Sequence, residues 1–113
     1  MEDRQISYQF RVKLCGKDKF FGPGVAELMH YVDELRSLNK AAAKMHMAYS
    51  KAWKIIGHAE EELGYALLER KIGGTGGGGA RLTAEGRELL WRYEQLLREA
   101  EVSVDTIFKK YFN

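Results

Sequence analysis

Residues 39–86 read NKAAAKMHMAYSKAWKIIGHAEEELGYALLERKIGGTGGGGARLTAEG. Asn39 is a good N-cap, and Ala41, Ala42 and Ala43 are small enough for close helix packing, which predicts a short helix over 40–45. His46 and Met47 form the next turn. A residue tolerant of positive φ suits that turn, and histidine is among the tolerated exceptions. A second helix is predicted over about 49–63, because Ala52, Ile55, Ile56, Ala59 and Leu63 recur at helical spacing as an inward stripe. Two short strands, 66–70 and 80–82, then flank a tip rich in glycine at 73, 74, 76, 77, 78 and 79. Helix, tight turn, helix and two-stranded ribbon is the order of a helix-turn-helix with a β-wing. That arrangement sets one helix into the major groove of DNA.

The charges agree with that order. Between 39 and 59 stand Lys40, Lys44, Lys51 and Lys54 without an acid, and over 70–82 stand Arg70, Lys71 and Arg81 without an acid. The formal net charge is only +2, so the distribution is what matters. Cationic side chains gather on the two elements a winged helix presents to phosphate. A solvated lysine face explains either cluster alone; their coincidence points to nucleic acid. Tyr49, Ser50, Lys51 and Lys54 fall at the N-terminal end of the second helix, the end that reaches base edges. Lys40, Arg70, Lys71, Thr75 and Arg81 complete the candidate DNA-binding set as backbone or minor-groove contacts. For Lys51 and Lys54, base and phosphate contacts are both open. Ser50 reads more simply as a helix cap and Trp53 as core. Met45 and Met47, two apart, share no helical face and read as packing around the turn.

A phosphate-cradling loop is the competing account of the glycines. GGTGGGGAR has no lysine followed by Ser or Thr, and a strand rather than a helix comes after it, so the spacing excludes it.

On the N-terminal side, Ile6, Tyr8, Phe10, Val12 and Leu14 alternate with Gln5, Ser7, Gln9, Arg11 and Lys13, which predicts a half-buried strand over 5–14. Gly16, Lys17 and Asp18 make a turn, and Phe20 and Phe21 begin a return strand, so a hairpin is expected over 5–22. Pro23 suits the first turn of a helix, with Val25, Leu28, Met29, Val32 and Leu35 as its core face. His30 beside them reads as a surface group, since no partner has metal-ligand spacing. On the C-terminal side, Thr83 caps a helix running to about Tyr111. Its apolar face includes Leu89, Tyr93, Leu96, Leu97, Ala100, Val104, Ile107 and Phe108. A domain this small does not easily bury so long a stripe on itself, so those residues are the expected interface of a two-fold homodimer. The alternative is that the distal half folds back on its own N-terminal hairpin.

With 113 residues, 45% hydrophobic and 30% charged, the chain has the length and composition of one soluble domain. The fold class is α+β, mainly α: a single winged helix-turn-helix domain over 1–113, with an N-terminal β-hairpin and a long C-terminal dimerisation helix over 83–111. No apolar run is long enough to span a membrane, the N-terminus has no signal core, and Cys15 is alone. A cytoplasmic location is expected. Three histidines and one cysteine, without acid–base pairing at recognisable spacing, predict no catalytic residue, metal or cofactor.

The runs AAAKMHMAYSKAWKIIGHAEEELGYALLER and GGTGGGGARLTAEG resemble the DNA-binding domain of LysR-type and molybdate-responsive ModE transcriptional regulators. The glycine-rich wing, the FFGPG before the first helix and the alternating strand before that are similar to the ModE branch. The resemblance covers roughly residues 5–100. It implies a homodimer on a palindromic operator, with molybdate-related genes as targets, and a separate effector-binding partner remains open. The chain ends at Asn113, so a standalone form is expected, without the C-terminal effector or molybdate-binding domains of those regulators. His46 stands where these families commonly carry glycine or another small turn residue. The expected function is sequence-specific regulation of transcription on double-stranded DNA; a winged module that binds another protein instead is the alternative.

Overall fold

The structure is a computed structural model that describes residues 5–70 and 79–112. Its elements in order are β1 (Leu14–Cys15), β2 (Lys19–Phe21), α1 (Pro23–Leu35), α2 (Leu38–Lys44), α3 (Tyr49–Leu63), β3 (Leu68–Arg70), β4 (Ala80–Leu82) and α4 (Ala84–Phe112). Two antiparallel two-stranded sheets are present, β1 with β2 and β3 with β4. Leu28, Met29 and Val32 of α1, Ala41 and Ala42 of α2, and Ala52, Ile56 and Ala59 of α3 are buried together. Leu67, Leu82, Leu89, Leu90 and Tyr93 close the same core from the wing and α4. Alanine at the α2 and α3 contacts lets the backbones approach closely. That packing also holds α2 in place, since seven residues make too short a helix to persist alone in water.

Local chemistry explains where the elements begin and end. Pro23 occupies the first turn of α1, where its missing N–H costs nothing. Arg36 closes that helix in the left-handed region at φ 57° and its carbonyl accepts from the Ala80 N–H at 3.1 Å, tying α1 to the wing. Gly64 ends α3 at φ 81°, and glycine adopts that region without steric cost. Two acids near the end of α3 hold the segment entering the wing and the turn of the N-terminal hairpin. Glu60 accepts from the Leu67 and Leu68 N–H groups at 2.7 and 3.2 Å, and Glu62 from those of Lys17 and Asp18 at 2.7 and 3.2 Å. The Thr83 hydroxyl donates to the Ala66 carbonyl at 2.7 Å and accepts from the Gly86 N–H at 2.8 Å, capping α4 as expected.

Several expectations are corrected. The cap of α2 is Ser37 rather than Asn39: its Oγ accepts from the Lys40 N–H at 3.1 Å, so the helix starts at Leu38. The strand expected over 5–14 shrinks to Leu14–Cys15, paired with Lys19–Phe21 across a bulge. Residues 5–13 have no partner strand and lie along α4 instead. The Tyr8 ring meets Phe108 at 4.6 Å between centroids, its hydroxyl donates to Asp105 at 3.2 Å, and the Tyr93 hydroxyl donates to the Val12 carbonyl at 2.8 Å. The first wing strand begins at Leu68, not residue 66. Trp53 is not core but 43% exposed.

The molecule measures 65 × 27 × 21 Å, with a radius of gyration of 17.4 Å, against about 13 Å for a compact chain of this length. The difference lies in α4. Its first turns pack on the core, while farther along the same stripe Leu96, Ile107 and Tyr111 are 46, 57 and 69% exposed. No helix among the described residues is long and apolar enough to cross a membrane.

Candidate nucleic-acid interface

Residues 45–48 join α2 to α3. Met47 N–H donates to the Ala42 carbonyl at 2.9 Å and His46 N–H to that of Ala43 at 3.1 Å. His46 sits at φ 54°, the left-handed conformation this position was expected to need. Met45 and Met47 pack against the core beside it. The turn leaves the start of α3 pointing outward, and Tyr49, Ser50, Lys51 and Lys54 are all exposed.

The N-cap of α3 is Ala48, with no side-chain cap bond, so Ser50 is inside the helix and the capping role expected for it is overturned. The first amides of a helix lack intrahelical partners and carry a partial positive charge. Here they share one end with Lys51 and Lys54. Lys40, Lys51 and Lys54 have no carboxylate within ion-pair distance among the described residues. Lys40 is also exposed, although its amide is already taken by Ser37.

Beside that end stands the wing. Leu68 pairs with Leu82, Glu69 with Arg81 and Arg70 with Ala80, which alternates core-facing leucines with outward polar groups. Arg81 donates through Nε to the Glu69 carboxylate at 2.7 Å. The cationic stretch read over 70–82 is therefore partly compensated by the acid just before it. Arg70 has a different partner: its guanidinium carbon lies 3.2 Å from the Trp53 ring centroid. Arg36, Glu69, Arg70, Gly79, Ala80 and Arg81 line an open cavity of about 270 Å³ at the wing root. Lys71 and Thr75 lie outside the described residues.

Tyr49, Ser50, Lys51, Lys54, Arg70 and Arg81 thus fall on α3 and the adjoining wing. Trp53, expected in the core, and Arg36, given no role from the sequence, also stand beside the wing. The spacing of Tyr49 and Trp53, four apart on one helix, was the available signal for the first; their rings meet edge-on at 6.4 Å and 81°. Arg36 had none, because its place beside the wing arises from the α1 turn meeting β4. His58, four residues beyond Lys54 on α3, makes a 3.2 Å hydrogen bond with the Lys19 carbonyl of the hairpin. Among the described residues no group of three or more His, Cys, Asp or Glu side chains is arranged to hold a metal.

The element order and packing define a winged helix-turn-helix of the kind found in DNA-binding domains. The chain belongs to the bacterial regulatory helix-turn-helix protein, lysR family, whose model matches residues 26–87. It is 30% identical over 88 residues to the DNA-binding transcriptional dual regulator ModE of Escherichia coli K12, covering 78% of this chain and 34% of that protein. It is 37% identical over 71 residues to the molybdenum transport protein ModE of Herbaspirillum seropedicae, covering 63% and 26%. The chain therefore spans about a third or less of the length of these relatives. Among solved structures, it is similar to a CbnR DBD–DNA complex with a TM-score of 0.61 and 25% identity, over 77% of this chain and 94% of that one. A BenM DBD complex with catB site 1 DNA gives 0.56 and 28%, over 79% and 96%.

Proposed function

We propose that this protein is a sequence-specific DNA-binding regulator of transcription that acts as a homodimer on a palindromic operator. The observation that carries the proposal is the exposed N-terminal end of α3, where Lys51 and Lys54 stand unpaired among the described residues, beside uncapped amides and next to the wing. In this reading Tyr49, Ser50, Lys51 and Lys54 enter the major groove, while Lys40, Arg70, Lys71, Thr75 and Arg81 hold the flanking backbone or minor groove. DNA complexes of proteins with the same fold support it. The exposed stripe of α4, with Leu96 and Ile107, pairs with its copy, and two α3 helices then meet half-sites about 34 Å apart. The names of the relatives support molybdate-related genes as targets, and a separate effector-binding partner supplies the signal. The location is the cytoplasm.

Selection of bound duplexes from a random pool tests the proposal. The expected product is an inverted repeat, bound with an affinity that falls steeply as salt rises. An unstructured pool and no duplex affinity at low salt would instead favour a winged module that binds protein.

A further inference from the structure

The exposed Trp53 indole crosses from the reading helix to the wing. It lies in the first half of α3, has the Arg70 guanidinium carbon over its ring at 3.2 Å from the centroid, and is braced edge-on by Tyr49 one turn earlier. Arg70 is the last residue of β3. We propose that Trp53 is a positioning residue for DNA binding, which holds Arg70 in place to grip a phosphate beside the reading helix. This rests on the DNA-binding function proposed above.

A guanidinium has two faces and five in-plane N–H donors. Stacking uses a face and leaves the rim free, so Arg70 can remain on Trp53 while its edge donates to phosphate oxygens. A long side chain that is free in solution loses rotamer freedom when it binds; one already held by an aromatic ring loses less. The contrast with Arg81 supports the assignment. Arg81 is engaged by Glu69, whereas Arg70 has no carboxylate within ion-pair distance among the described residues. Its position is set by an uncharged partner and its charge stays available.

The test uses a duplex recovered from the selection and a salt titration of wild type, Arg70→Ala, Trp53→Leu and the double variant. Arg70→Ala is expected to weaken binding and to lower the salt slope by about one phosphate contact. Trp53→Leu should weaken binding about two- to fivefold, the size of an exposed cation–π contact, with the slope unchanged. In the Arg70→Ala background it should cost nothing further, and Trp53→Tyr should restore most of the loss. A second arm needs no DNA: the Arg70 side-chain protons should be shifted upfield by the indole ring current in an NMR spectrum and return to ordinary positions in Trp53→Leu. Losses that multiply in the double variant, or Arg70 protons unshifted in wild type, overturn the proposal. If wild type shows the ring-current shift yet binds no duplex, the contact is structural only; the DNA-binding function then fails, and this role with it.

Discussion

At the level of single residues, two positions are dictated by backbone geometry. A Cβ added at Gly86 would lie 2.5 Å from the Leu67 carbonyl oxygen and 3.1 Å from its Cα. Only glycine lets α4 start this close to the backbone just before β3. Gly86→Ala should destabilise the fold by about 1–3 kcal/mol, as overpacking at a rigid contact does, and thermal unfolding measures it. His46 is the converse case. A non-glycine residue in the left-handed region costs about 1–2 kcal/mol, part of which glycine gives back through its unfolded-state entropy. His46→Gly should therefore raise stability by roughly 0.5–1 kcal/mol in a denaturant titration; a loss of stability would show that the imidazole is held by something in the turn. Asn39 shows the limit of residue-level reading: both it and Ser37 are good caps, and the choice fell to whichever serves the helix start that packing required.

Between elements, the junction of α1 and α4 carries a paired contact absent from any local pattern. Arg87 donates to both oxygens of Asp33, at 2.8 and 3.1 Å. Its hydrogen bonds, with its charge, hold the Asp33 carboxyl below the usual carboxylate range against the opposing effect of burial. A carboxylate whose pKa is lower folded than unfolded adds stability above its unfolded pKa of about 3.9, and that stability is lost as pH falls through the lower folded value. The pair is partly exposed, so it is worth about 0.2–1 kcal/mol at most. Asp33→Asn should lower the melting temperature slightly at neutral pH and flatten its fall below pH 4. A melting curve as steep with pH as that of wild type would assign the acid sensitivity to other groups. The N-terminal segment makes the same point about pairing. Of the alternating apolar residues Phe10, Val12 and Leu14 are half-buried, but Ile6 and Tyr8 stay exposed; a ladder needs a second strand of matching length, and β2 offers three residues.

For the molecule as a whole, the decisive feature is the 29-residue α4, about 44 Å long at 1.5 Å per residue. Tyr8 covers it at Phe108 from the side, while Leu96, Ile107 and Tyr111 remain exposed along the stripe. The N-terminal segment thus folds back on the rod at Phe108, and the apolar residues left exposed are the surface that the proposed dimer would use. Ile107→Glu should leave helix content unchanged and shift sedimentation toward the monomer. Loss of half-site pairing should then weaken operator binding by tenfold or more, roughly the effect of 1.4 kcal/mol. A wild-type protein that sediments as a monomer at high concentration would overturn the homodimer, and an Ile107→Glu variant that remains dimeric would place its interface elsewhere.

The sequence by itself determined the order of elements, the α3 boundaries at 49 and 63, the inward stripes of α1 and α3, the left-handed turn at His46 and the Thr83 cap. All arise from periodicity and from side chains acting within a few residues of themselves. Only the tertiary structure decided that Ser37 caps α2, that residues 5–13 lie on α4 rather than in a sheet, that Glu69 offsets Arg81, and that Trp53 faces out to meet Arg70. Each of these depends on a partner far along the chain or on a choice between local options of nearly equal free energy. Such choices are made by packing, which spacing along one segment does not encode.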